Sequence, residues 1–94
     1  MEVTVRYLNP LREVTKISEE KVEVKEGDSV EDLVHMLSKK YGSGFDRYAY
    51  SGVKQEGIPI LILVDGQNVQ SLEGAKTKLR QGNVITIIPP IAGG

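Results

Sequence analysis

The stretch DSVEDLVHMLSKKYG, residues 28–42, decides the fold of this chain because it carries a clear helical repeat. Its apolar side chains recur three or four positions apart, which places them on one face of a helix. Asp28 is predicted to be the N-cap with Glu31 as its capping-box partner, and Gly42 suits the position after the last turn. A lone amphipathic helix must bury its stripe against a sheet, so the remaining chain is expected to supply one. The stripe consists of Val30, Leu33, Val34, Leu37 and Tyr41.

Two strands are predicted before this helix. Residues 2–7 and residues 21–25 alternate polar and apolar side chains, which is the pattern of half-buried strands. Asn9-Pro10 breaks the first run, and residues 11–20 are expected to form the connecting turn of a hairpin.

The chain after the helix supplies the remaining strands. Residues 58–64 form a continuous apolar run typical of a central strand, and Asp65-Gly66 is a strong signal for a tight turn. Residues 67–70 are predicted to return as a short strand. Residues 84–88 are strongly apolar, so this last strand is expected to lie centrally, beside the first. Segment 42–57 is long, and its aromatic residues are expected to pack on the body: Phe45, Tyr48 and Tyr50.

This order of elements predicts an α+β fold in which a mixed sheet of four or five strands packs on one main helix, the β-grasp architecture. The chain has 94 residues, too few for two cores. We therefore expect one domain at residues 1–88, followed by an extended tail at residues 89–94.

Composition restricts the function. The formal net charge of −1 gives no general attraction to nucleic acid, and no apolar run is long enough to span a membrane or act as a signal peptide. A cytoplasmic location is the expectation. The chain has no cysteine, so a thioester, a persulfide or a thiolate-bound zinc cannot form on a side chain. No cofactor and no metal is expected to bind.

The tail, PPIAGG, is the feature most directly linked to function. Two glycines without side chains can pass through a narrow channel and bring the carboxylate of Gly94 to a reactive centre. The prolines before them favour an extended, stiff backbone. Five residues are therefore predicted to be read by a partner enzyme: Pro89, Pro90, Ile91, Ala92 and Gly93.

Several motifs carry a resemblance to a known family. EGDSVEDL at residues 26–33, VDGQNV at residues 64–69, LRQGNVI at residues 79–85 and the PPIAGG ending occur in the family's order. The chain resembles the ubiquitin-like sulfur carriers of the MoaD and ThiS type, and most of all the archaeal MoaD-related proteins that include the small archaeal modifier proteins. It departs from them at Asp65, where Asn-Gly is more usual than Asp-Gly, and at Asn83, where Asp is frequent. Segment 42–57 is also longer than in compact bacterial carriers.

The resemblance implies a ubiquitin-like β-grasp with a flexible diglycine tail, activated by an E1-like enzyme that uses ATP to adenylate the Gly94 carboxylate. The acyl group then has two fates, which the sequence leaves open. It becomes a thiocarboxylate that supplies sulfur for molybdopterin or for tRNA thiolation, or it forms an isopeptide bond with a lysine of a target protein. The molybdopterin synthase large subunit is a further implied partner, with this chain as the small subunit.

Two apolar residues near the predicted tail exit, Leu8 and Ile88, are candidates for partner docking. The single histidine, His35, falls off the apolar stripe and is expected to be exposed without a catalytic or metal role. No intrinsic catalytic residue is predicted, so the chain is expected to be a substrate rather than an enzyme. Two alternatives remain: a non-covalent β-grasp interaction module with an incidental tail, and a small enzyme, which lacks candidate catalytic groups.

Overall fold

The predicted helix forms as α2, Val30–Tyr41, and packs its apolar stripe into the core of the protein. The structure is a computed structural model that describes residues 1–46 and 61–89. Four of the five predicted stripe residues are buried, and Tyr41 is half-buried against the same core. Gly42 follows the helix with φ of +82°, a left-handed conformation that suits glycine. The described helices include none that is long and apolar enough to cross a membrane.

The N-terminal cap of α2 lies one residue later than predicted, so the assignment of Asp28 and Glu31 was wrong. Ser29 is the N-cap: its hydroxyl accepts a hydrogen bond from the backbone N–H of Asp32, whose carboxylate accepts from the Ser29 N–H at 2.8 Å. The Asp28 carboxylate is engaged elsewhere, because it accepts a hydrogen bond from the N–H of Lys25 at 2.9 Å. Asp28 therefore closes the turn before the helix and is not free to cap it.

Five strands form one mixed sheet in the order β2-β1-β5-β3-β4. The last strand, β5, is parallel to β1 on one side and antiparallel to β3 on the other, which confirms its predicted central position. Its residues Ile85 and Ile87 are fully buried beneath α2. The strands are β1 (Glu2–Tyr7), β2 (Glu19–Glu23), β3 (Leu61–Val64), β4 (Gln67–Asn68) and β5 (Val84–Ile88). The α+β, ubiquitin-like β-grasp prediction is confirmed.

The connection between β1 and β2 is not a simple turn, and the hairpin-turn prediction for residues 11–20 was wrong in detail. A short helix, α1 (Leu11–Thr15), forms because Leu11 and Thr15 both bury their side chains. Lys16 ends it with φ of +70°. β2 then begins earlier than predicted, because the backbone N–H of Tyr7 already donates to the carbonyl of Ser18 at 2.8 Å.

The β3–β4 connection confirms the tight-turn prediction, with φ of +50° at Asp65 and +85° at Gly66. The returning strand is shorter than predicted: only Gln67–Asn68 pairs with β3, and a 3-10 turn follows at Val69–Ser71. The Asn68 side chain accepts the N–H of Gln70 at 2.9 Å, which favours that turn over a longer strand. Residues 58–60, Tyr48 and Tyr50 lie outside the described residues, whereas Phe45 is fully buried as predicted.

Candidate functional site

The C-terminal end of β5 is where three sheet elements meet. The parallel strand β1 ends beside it, and the N–H of Leu8 donates to the carbonyl of Ile87 at 3.3 Å. The antiparallel strand β3 begins beside it on the other side, with Leu61 directly opposite Ile88. The topology therefore brings both predicted docking residues, Leu8 and Ile88, to one end of the sheet, and it adds Leu61.

These three residues lie on the sheet face that α2 leaves uncovered. Strand residues alternate between faces. Because Ile85 and Ile87 point into the core, Ile88 points to the outer face, and its partner Leu61 shares that side. Leu8 continues the outward alternation of β1, and its side chain is 40% exposed, close to the 36% of Leu61. We refer to Leu8, Leu61 and Ile88 as the tail-end patch. Its apolar exposure suits contact with another protein.

Sequence reasoning missed Leu61 because it lies at the edge of a continuous apolar run. In such a run every residue reads as buried, and no polar neighbour marks which side faces out. The available signal was the alternation of side chains along a strand. Ile62 and Val64 face the core and are buried, whereas Leu61 and Leu63 face the opposite side of the sheet.

Pro89 follows β5 and is itself fully buried. Pro89 lies two residues after Ile87 and packs in the core as Ile85 and Ile87 do. The chain therefore stays packed on the domain for one residue beyond β5. The other predicted tail residues lie outside the described residues: Pro90, Ile91, Ala92, Gly93 and Gly94. Their role in recognition and reaction stays a prediction.

A polar network supports this end of the sheet from the helix side. The Glu20 carboxylate on β2 accepts hydrogen bonds from the hydroxyls of Tyr7 and Tyr41, and from the Lys40 ammonium at 2.7 Å. Tyr7 and Tyr41 also stack edge-to-face, with ring centroids 6.1 Å apart. The network ties β1, β2 and α2 together with both oxygens of Glu20 engaged. We interpret the network as structural, because both oxygens of the Glu20 carboxylate already accept hydrogen bonds from within the protein.

The pKa values in this network follow from its contacts. Burial raises the pKa of Tyr7 strongly, and the neighbouring Glu20 carboxylate raises it further. Burial alone would raise the pKa of Glu20, but hydrogen bonds from Lys40, Tyr41 and Tyr7 outweigh it and lower that pKa. The hydrogen bond to Glu20 raises the pKa of Lys40. Glu20 is thus held ionised, and both hydroxyls are held protonated.

Among residues 1–46 and 61–89, no three or more carboxylate or imidazole side chains lie close enough together to hold a metal ion. His35 lies exposed on α2, in agreement with its predicted position off the stripe. A shallow cleft of about 380 Å³ lies at the opposite end of β5 from the tail-end patch. Two acidic residues, Asp65 and Glu73, and two basic residues, Lys78 and Arg80, line the cleft. The lining therefore favours neither an anionic nor a cationic ligand.

Comparison with known proteins places this geometry in a family. The sequence model of the ThiS family matches residues 5–94. A protein of Archaeoglobus fulgidus described as a candidate sulfur carrier is 33% identical over 69 residues, which cover 70% of this chain and 74% of the relative. Small archaeal modifier protein 3 of Haloferax volcanii is 28% identical over the full length of both chains.

Solved structures agree with the sequence relatives. The solution structure of small archaeal modifier protein 1 from Methanosarcina acetivorans has a TM-score of 0.77 and 32% identity, covering 99% of this chain and 96% of that one. The BexX/CysO complex of Amycolatopsis orientalis contains a chain with a TM-score of 0.70 and 26% identity, covering 98% and 99%. Relatives of this chain are therefore small carriers and modifiers, and at least one has been solved bound to a partner protein.

Proposed function

This chain belongs to the ThiS family of ubiquitin-like carriers and modifiers, and from that membership we propose that it acts through its Gly94 carboxylate after activation by an E1-like enzyme. The chain is the substrate of that enzyme and supplies no catalytic group of its own. The observation that carries the proposal is the course of β5: the central strand of the sheet runs directly into the PPIAGG segment, beside the tail-end patch.

The chemistry begins with a carboxylate, which is a poor electrophile until one oxygen becomes part of a good leaving group. In the proposed first step, a Gly94 carboxylate oxygen attacks the α-phosphorus of ATP and releases pyrophosphate. The resulting acyl-adenylate is attacked at its carbonyl carbon, and AMP departs. Hydrosulfide, as the sulfur nucleophile, loses its proton and forms the C–S bond of a thiocarboxylate as the C–O bond to AMP breaks, whereas a lysine amine loses a proton and forms an isopeptide bond.

Both fates remain part of the proposal, because relatives point to each of them. One relative is described as a candidate sulfur carrier and another as a protein modifier. Sulfur transfer to a molybdopterin precursor or toward tRNA requires a partner such as the molybdopterin synthase large subunit. Conjugation requires lysine-bearing target proteins instead.

The tail-end patch is proposed as the docking surface for these partners. Leu8 and Leu61 are exposed, and Ile88 lies between them on the central strand, one residue before Pro89. A partner that covers this patch would hold the body of the chain while the following residues enter its active site. Such two-point contact explains how a short, nearly featureless tail could be selected.

A second candidate function rests on the same patch. A non-covalent β-grasp module would dock through Leu8, Leu61 and Ile88, and the diglycine would be incidental. The two functions differ in one requirement, because only the covalent carrier needs the Gly94 carboxylate at its present position.

ATP–pyrophosphate exchange with the E1-like enzyme of the same organism tests the proposal. Full-length chain is expected to support exchange, while a chain lacking Gly94 loses it and still folds and binds. Exchange by the shortened chain at the full-length rate would overturn the proposal. Binding without any exchange by either chain would favour the docking module.

A further inference from the structure

The strand β2 is last in the strand order of the sheet and, among the described residues, pairs with β1 alone. The Tyr7 N–H donates to the Ser18 carbonyl, and the Val24 N–H donates to the Met1 carbonyl. The backbone N–H and carbonyl groups of the even-numbered residues in and beside β2 therefore face β1. In an antiparallel pair the alternate residues point away. Glu19, Lys21 and Glu23 therefore present their backbone N–H and carbonyl groups outward.

The side chains along this edge alternate in charge. Glu19, Lys21, Glu23 and Lys25 are all exposed, and they occupy every second position of the sequence EEKVEVK at residues 19–25. Val22 lies between them on the helix side and is half-buried against the core. The edge is thus a short ladder of unpaired backbone groups, with regularly alternating charges on one side and an apolar residue on the other.

An alternating strand of this kind can pair with itself in several antiparallel registers that use the outward backbone groups, and these registers differ in the residue that lies at the two-fold axis. With the two-fold axis at Lys21, Glu19 lies opposite Glu23 of the second copy and the two Lys21 side chains face each other. Like charges directly opposite each other are destabilising. That register is therefore disfavoured, although it would form the longer ladder.

With the two-fold axis at Val22, every charge meets its opposite. Lys21 lies opposite Glu23 of the second copy, and Glu19 lies opposite Lys25 of the second copy. The same contacts repeat on the other side of the axis, as an isologous interface requires. The two Val22 side chains meet at the axis, and the Lys21 and Glu23 backbones exchange hydrogen bonds.

We propose that two copies of this chain associate by antiparallel pairing of their β2 strands about Val22, extending the sheet across both copies. The sequence of the edge favours this register, because an axis at Val22 forms four pairs of opposite charges, whereas an axis at Glu20 or Val24 forms only two. Existing ion pairs do not block it: Glu19 binds Arg6 at 3.3 Å and Glu23 binds the N-terminal ammonium at 3.2 Å, yet these glutamate side chains remain 55% and 79% exposed. Lys21 and Lys25 have no ion pair among the described residues. Glu20 and Lys40 bind each other on the helix side and lie nearest to the new contact.

This association goes beyond the proposed carrier function and leaves it intact. β1 separates β2 from β5, so Leu61, Ile88 and Pro89 lie away from the paired edges, and Leu8 lies one strand in from them. The dimer would present two C-terminal segments at once.

Sedimentation equilibrium of the full chain tests the proposal, over loading concentrations up to about 1 mM and at low salt, because an interface this small binds weakly. Wild-type chain is expected to self-associate. Lys21→Glu and Glu23→Lys each place like charges opposite each other, and each is expected to weaken self-association about tenfold. Arg80→Glu is the control, since it makes the same charge change as Lys21→Glu at a residue outside the paired edge.

Mixing the two variants gives the decisive readout. Lys21→Glu chain and Glu23→Lys chain have complementary edges, so the mixture is expected to associate more tightly than either variant alone. The double variant is expected to recover wild-type association. A wild-type chain that stays monomeric throughout, single variants that associate like wild type, or a mixture that fails to associate would each overturn the proposal. Circular dichroism of each variant confirms that the fold is retained.

Discussion

The side-chain amide of Asn83 donates a hydrogen bond to the carboxylate of Asp65 at 2.6 Å, which joins the β3–β4 turn to the turn before β5. Asp65 also accepts the N–H of Val84, and Asn83 accepts the N–H of Arg80. The Asn83 amide and the Asp65 carboxylate therefore form a matched donor–acceptor pair between the two turns.

This hydrogen bond predicts a strong coupling between Asp65 and Asn83. Asn83→Asp alone would set two carboxylates against each other and is expected to lower the free energy of unfolding by about 1–3 kcal/mol at neutral pH. The double change Asp65→Asn with Asn83→Asp restores one donor and one acceptor, and is expected to recover most of that loss. Urea unfolding of the two single variants and the double variant gives the coupling energy. Strictly additive effects would show that the contact is incidental.

The Glu20 network predicts a specific pH dependence. Because the folded-state pKa of Glu20 is lowered, its contribution to stability is full above the unfolded pKa of about 4.3 and is lost as pH falls through the folded value. Tyr7 affects stability at alkaline pH. Because its folded-state pKa is raised, its contribution to the free energy of unfolding is full below the unfolded pKa of about 10 and is lost as pH rises above that value.

Glu20→Gln tests the acidic side of this network. It removes the charge that Lys40 and both tyrosines contact, and is expected to cost about 1–2 kcal/mol at neutral pH and to flatten the decline in stability below pH 5. Glu19→Gln is the matched control on the neighbouring, exposed residue, where a change within about 0.5 kcal/mol is expected. Equal effects of the two substitutions, measured by thermal unfolding across pH, would contradict the role of the network.

The tail-end patch predicts a defect in partner use without a defect in folding. Leu8→Glu or Leu61→Glu places a charge on an exposed apolar surface, and each is expected to lower kcat/KM of the E1-like enzyme for this chain by about tenfold or more. Leu72→Glu is the control, because Leu72 is equally exposed at 38% but lines the cleft at the other end of β5. An equal loss in all three variants, or none, would show that the patch does not dock this enzyme.

The sequence predicted the elements whose signal is local and repeated. The α2 stripe spans three turns, so one face was clear, and the apolar composition of β5 indicated its central position. The cap of α2 was ambiguous, because Asp28 and Ser29 are both good N-caps and both have an acidic residue three positions on. The contact between Asp28 and the Lys25 N–H decides between them, and only the structure shows it.

The features that sequence reasoning missed depend on contacts between distant residues. α1 is too short to show a repeat, and it forms because Leu11 and Thr15 are buried by other parts of the chain. Leu61 joins the candidate site through its register with Ile88. The reaction at Gly94, by contrast, was inferred from the C-terminal PPIAGG segment and the family resemblance.

Mass spectrometry of an N-terminally tagged chain recovered from its own cells decides whether the Gly94 carboxylate is used, with a Gly94 deletion as the control. We expect a wild-type species heavier by the difference between sulfur and oxygen, or lysine peptides of other proteins that carry the C-terminal residues of this chain. The deletion is expected to abolish both. Wild-type chain that carries neither modification, with the same bound partners before and after the deletion, would show that the protein does not act through Gly94.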